Sequence, residues 1–185
     1  MKTTEKIKFV LVLAISMMFA TNSSAQETKT AKSFDQGFRL GIGLNAGYAV
    51  NDPYKLVAGA DARLQYDLTK RYSLTLTTGY TNMFVSKSDA PYQDVGFIPA
   101  KAGFKAFVWN DQFYLMGEAG AAFAVSNGYH QNSLLLSPSI GYASKYIDVS
   151  LHYEFYNDFA RINNNGNLSK GVGQVGVRLA YGFDL

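Results

Sequence analysis

The chain has no cysteine among its 185 residues. That excludes a disulfide framework, a thiolate metal site and a lipid-modified N-terminal cysteine. Charge is also scarce. Asp, Glu, Lys and Arg make up 17% of the chain, where a soluble domain carries about 25%. Long apolar runs are missing as well. After residue 25 no segment approaches the roughly 20 apolar residues that a membrane-spanning helix needs. A mean hydropathy of −0.06 is too polar for a helical membrane protein. What is present instead is tyrosine (13), phenylalanine (13) and glycine (17). Little charge, many aromatics and neutral hydropathy fit a β-barrel with one face in lipid and the other on a polar lumen.

The first 25 residues form a separate object. Lys2, Lys6 and Lys8 make a basic start, Phe9 to Ala20 is apolar, and Ser23 and Ala25 are small residues before a cut. This order reads as a secretory signal peptide cleaved after Ala25. Residues 1–25 hold three lysines and one glutamate, so removing them takes the net charge from +3 to near neutrality. The apparent basicity belongs mostly to the export signal, and nothing points to nucleic acid as a partner. Residues 26–36 are polar and read as a flexible lead-in, leaving 37–185 as the domain.

From Phe38 onward the pattern has a period of two. Leu40, Ile42 and Leu44 alternate with Gly41, Gly43 and Asn45. Ala58, Ala60, Ala62 and Leu64 alternate with Gly59, Asp61, Arg63 and Gln65. Successive strand residues point to opposite faces, so such alternation predicts strands. Eight stretches of this kind follow one another, beginning near Phe38, Leu56, Tyr72, Ile98, Phe113, Leu136, Ile147 and Val175. Tight connections at 69–71, 110–112 and 144–145 alternate with longer polar ones at 51–55, 86–95, 126–133 and 157–170. The expectation is all-β: an antiparallel up-and-down transmembrane barrel with both termini on the short-turn, periplasmic side.

Alternation alone does not say which face meets lipid. The polar face is rich in Gly, Ser and Ala, which suits a cramped interior. Aromatics gather near the inferred strand ends: Tyr66, Tyr72, Trp109, Phe113, Tyr146 and Tyr181 toward the short turns, and Tyr48, Tyr80, Phe84, Phe123 and Tyr153 toward the long loops. Two such girdles mark membrane interfaces. The last strand carries Gln174, Gly176, Leu179 and Tyr181, spaced like the signal by which bacterial barrels are recognised for outer-membrane assembly. The chain departs from that pattern in ending on Leu185 rather than an aromatic. On these features the chain resembles the small outer-membrane barrel family that includes the transmembrane domain of the major outer-membrane protein A. The resemblance implies a Gram-negative outer membrane, surrounding lipid and the outer-membrane assembly machinery as partners. The chain is expected to be a monomer without a cofactor.

The candidate functional set lies on the polar face: Asp61, Arg63, Lys101, Lys105, Glu118, His152, Glu154 and Arg178. An eight-stranded barrel is just wide enough for side chains to fill. Buried charges there must be paired. The expectation is a salt-bridged lumen that holds the barrel shut; the same ions could instead form a gate. Ser150, His152 and Glu154 share one strand face and evoke a hydrolase triad, but same-face neighbours on a strand are about 7 Å apart, and no enzyme is expected. Gly171-Val172-Gly173-Gln174-Val175-Gly176 spells a dinucleotide motif without the strand–helix context that the chemistry needs. His130, Pro91-Tyr92 and the run 163–166 fall in loops that could carry an extracellular ligand. The function expected is a structural or surface-interaction scaffold. A narrow pore or conduit for small hydrophobic molecules is the alternative, with an outer-membrane lipid hydrolase a distant third.

Overall fold

A computed structural model describes residues 36–86, 93–108, 112–126, 131–162 and 167–185. The signal peptide, most of the lead-in, Pro91-Tyr92, Trp109, His130 and 163–166 lie outside these. The described chain is eight strands: β1 (Phe38–Ala49), β2 (Tyr54–Asp67), β3 (Tyr72–Val85), β4 (Val95–Phe107), β5 (Phe113–Ala124), β6 (Ser133–Ala143), β7 (Ile147–Ile162) and β8 (Leu168–Asp184). Each pairs antiparallel with the next, and β8 returns to β1, closing a barrel. Closure leaves no unpaired sheet edge. No helix among the described residues is long and apolar enough to cross a membrane.

The alternation puts the apolar residues outside. Ile42, Leu44, Leu76, Leu136, Val177 and Leu179 are all exposed, Leu44 by 68%. Inward neighbours such as Thr75, Thr77, Ser137 and Ser150 are buried. An exposed apolar surface that encircles the molecule is not stable in water and demands a lipid solvent. Tyr48, Tyr72, Phe113, Phe123, Tyr146 and Tyr181 face outward at or near strand ends, whereas Tyr80 and Tyr153, expected in the loop-side girdle, face outward from the middle of β3 and β7. At the short-turn rim Tyr146 stacks on Tyr181, with ring centroids 5.8 Å apart.

The turns have local chemical causes. At the β2–β3 turn Thr69 Oγ1 accepts hydrogen bonds from the backbone N–H of Arg71 (3.2 Å) and Tyr72 (3.0 Å). At β6–β7 Ser144 N–H donates to the Ile147 carbonyl (2.7 Å), and Ile147 N–H returns a bond to Ser144 Oγ (3.1 Å). Two connections expected to be long are not. Residues 157–162 continue β7 and 168–170 begin β8, so most of the segment read as a loop is a hairpin that prolongs both strands. A register shift between Tyr156 and Ala160 accommodates this prolongation. The β1–β2 connection is also short, and its Pro53 is fully buried.

The seam between the first and last strands carries a surface ion pair, Arg39 Nε to Asp184 Oδ1 at 3.0 Å. Both groups are partly solvated, 33% and 61% exposed. Asp184→Asn is expected to shift the urea midpoint of the refolded barrel by no more than the equivalent of about 1 kcal/mol. A larger shift would show that this pair clasps the seam.

Candidate functional site

Every charged residue singled out from the sequence projects into the lumen. Arg63, Lys101, Lys105 and Arg178 stand against Asp61, Glu118, Glu154 and a residue the inward set had omitted, Asp148. Arg178 holds Asp61 in a two-pronged contact: Nε lies 3.0 and 2.9 Å from the two carboxylate oxygens, and Nη2 2.5 Å from Oδ1. Asn45 Nδ2 donates to the same carboxylate at 2.6 Å. Arg63 donates to Thr77 Oγ1 (3.0 Å) and to Glu118 (3.3 Å), and Thr77 hydroxyl donates to Glu118 (2.6 Å). Lys101 bridges Glu118 at 3.4 Å and Glu154 at 2.6 Å. Lys105 pairs with Asp148 at 2.7 Å, while its ammonium sits 3.9 Å above the Tyr114 ring. Tyr114 hydroxyl donates to the other Asp148 oxygen at 2.6 Å.

Bare backbone makes room for these long side chains. A Cβ placed on Gly43 would lie 2.9 Å from the Arg178 guanidinium, and one on Gly141 would lie 2.4 Å from the Tyr114 ring. Gly43 and Gly141 are therefore seats for crossing side chains of the neighbouring strands.

Glu154 decides the fate of the triad idea. Its carboxylate accepts from Lys101 (2.6 Å), Ser137 (3.3 Å), Tyr156 hydroxyl (2.5 Å) and the amide of Gln174. Those contacts tie it to the ion network. The same geometry gives Gln174, read as part of an assembly signal, a place inside the lumen. Gly176 also faces inward, beside the His152 ring, whereas Leu179 and Tyr181 face outward.

Above the ions, toward the loops, lies a layer the sequence reading missed. Tyr54, Val57, Met83, Val95, Phe97, Leu135, Tyr156, Phe159 and Val172 form a buried apolar cluster inside the barrel. Tyr156 stacks on Phe159, with centroids 5.1 Å apart, and Phe97 meets both edge-on at 5.1 and 5.3 Å. The β1–β2 turn is tied down at the rim of this cluster. Its Asp52 carbonyl accepts from Ile162 N–H (2.7 Å), its Pro53 carbonyl from Ser86 N–H (3.2 Å), and Asn51 Oδ1 from Gly173 N–H (2.9 Å). A smaller cluster of Tyr114, Met116 and Ala143, with Phe107 against it, occupies part of the opposite end. The salt-bridged lumen expected from the sequence is thus only the middle of a layered filling.

A closed up-and-down barrel of eight strands, apolar without and ion-paired within, is the architecture of the small transmembrane barrels of bacterial outer membranes. The comparisons agree with that class. The chain is similar in fold to Ail, the attachment invasion locus protein of Yersinia pestis, with 19% identity and a TM-score of 0.51 over 80% of this chain and 99% of that one. It is also similar to the N-terminal β-barrel domain of Pseudomonas aeruginosa OprF, with 13% identity and a TM-score of 0.51 over 80% of this chain and the whole of that one. A second Ail structure, in complex with the heparin analogue sucrose octasulfate, matches at 17% identity and a TM-score of 0.50, over 81% of this chain and 100% of that one. No protein-family model matches the chain, and no curated protein does either.

Proposed function

We propose that this protein is a closed outer-membrane scaffold that acts through its loop-end surface rather than by passing solute through its lumen. The observation that carries this reading is the layered filling. A path along the axis would have to cross both the four-against-four ion network and the apolar cluster around Phe97, Tyr156 and Phe159. Moving an ion past an intact apolar layer is costly because nothing there replaces its hydration. The prolonged β7–β8 hairpin supports a surface role, since it carries the chain beyond the paired girdles on a rigid support. In this reading the chain is exported by its N-terminal segment, recognised by the assembly machinery through the last strand around Leu179 and Tyr181, and sits as a monomer in outer-membrane lipid. An extracellular partner would meet the loops between β3 and β4, β5 and β6, and β7 and β8.

Planar-bilayer recording of the refolded chain tests the closed lumen, after a heat-shift on gel has confirmed a folded barrel. The expected record is silent. Discrete, salt-dependent steps would overturn the scaffold reading in favour of a narrow pore.

A further inference from the structure

The two ends of the lumen are built differently. Under the loop end, Tyr156, Phe97, Phe159 and Val172 have no measurable exposure, and the tied-down turn at Pro53 borders them. At the short-turn end the Tyr114 cluster covers only the side formed by β4, β5 and β6. Beside β1 and β8 there is a cavity of about 30 Å³, lined by Arg39, Gly41, Lys105, Asp148, Ala180 and Gly182. Its glycines leave room for a further carbon: a Cβ added to Gly41 would meet its nearest neighbours at 3.8 Å, and one on Gly182 at 3.7 Å, both ordinary packing distances.

Two further cavities lie deeper in the lumen and share wall residues with their neighbours. One of about 10 Å³ is lined by Arg63, Ser139, Ser150 and His152. The next, of about 20 Å³, reaches His152, Glu154 and Gln174, directly below the apolar layer. Arg63 and Arg178 border both of the first two, and His152 and Glu154 border both of the last two. Among the described residues, three buried polar atoms have no hydrogen-bond partner: Arg63 Nη1, Ser139 Oγ and Gln174 Oε1. Each belongs to a residue that lines one of these cavities. Buried polar groups of this kind are satisfied by water where the space is polar and holds about 10–15 Å³ or more.

We infer that the lumen is a hydrated blind chamber, entered by water from the short-turn side and sealed on the loop side by the Phe97–Tyr156–Phe159 layer. The ions of the middle are then in contact with one compartment only. Tyr156 marks the boundary, with its ring in the dry layer and its hydroxyl on Glu154.

The cysteine-free chain permits a direct test. Single cysteines are placed at the open end (Ala180→Cys, with Gly41→Cys as a second probe), in the middle (Ser150→Cys) and in the sealed layer (Ala122→Cys, a fully buried member of the apolar cluster on β5). Each refolded barrel is treated in micelles, where both ends meet solvent, with the anionic reagent 2-sulfonatoethyl methanethiosulfonate. Modification at 180 and 41 is expected to be on the order of a hundredfold faster than at 122, with 150 between them, the protection that a locally closed layer confers. Adding Phe97→Ala to Ala122→Cys is expected to remove much of that protection. If the cysteines at 180 and 41 are both as protected as the one at 122, the chamber is closed at both ends and the inference fails. If 122 reacts as fast as 180 in a barrel that still shows its heat-shift, the apolar layer is no seal and the inference fails. Conductance does not enter these outcomes, so the scaffold reading stands or falls separately.

Discussion

Asp61→Ala is expected to cost the barrel about 3–5 kcal/mol, because it leaves a buried guanidinium without its counter-ion. Arg178 is 3% exposed and spends both Nε and Nη2 on Asp61. Its remaining acidic neighbour is Asp148, whose oxygen lies 3.8 Å from Nη1 and already accepts from Tyr114. Asn45 loses its acceptor in the same step. The double variant Asp61→Leu with Arg178→Leu is expected to be neutral or better, since it removes the desolvation cost together with the attraction. Urea unfolding followed by circular dichroism and heat-shift measures both. A loss below about 1 kcal/mol in the single variant, the range of solvated pairs, would show that water compensates Arg178 freely.

Ala60→Arg is the second large effect and acts on the opposite face. Ala60 lies near the middle of β2, points outward and is exposed, between Leu44 of β1 and Tyr80 of β3. A charged side chain there meets hydrocarbon, and the expected cost is about 2–4 kcal/mol at the midplane. Ala60→Leu is expected to fold as the parent does. The comparison is made as the fraction of heat-shifted barrel after refolding into phospholipid vesicles of increasing urea content. Equal behaviour of the two variants would mean that Ala60 does not face lipid.

The architecture was legible because alternation is a backbone property: once one inward residue on a strand is known, its neighbours follow. Asp61, Arg63, Lys101, Lys105, Glu118, Glu154 and Arg178 all occupy buried inward positions of this parity. Asp148 obeyed the same parity but lies one residue inside β7, where a charge reads equally well as part of a turn. Its partner, Lys105, is across the barrel and cannot be found along the chain. The apolar layer was hidden for a different reason. Phe97 and Met83 are apolar residues on the inward face, so periodicity places them but hydropathy suggests lipid. Phe159 was further obscured by the irregularity after Tyr156, which changes the phase of the alternation. Segment 157–170 looked like a loop because it is polar, yet Ala160 to Ile162 pair with Leu168 to Lys170.

The ion pairs also bear on how such a barrel comes into being. Asp61 and Arg178 join β2 to β8, Arg63 and Glu118 join β2 to β5, and Lys101 and Lys105 reach from β4 to Glu154 and Asp148 on β7. These partners are not on adjacent strands, so a half-built sheet would present solitary cations and anions to an environment that cannot solvate them. Lys101 also meets Glu118 on the adjacent β5, but the curled and completed sheet is what brings the partners of these four pairs together. Closure of the barrel and neutralisation of these buried charges are thus one and the same geometric event.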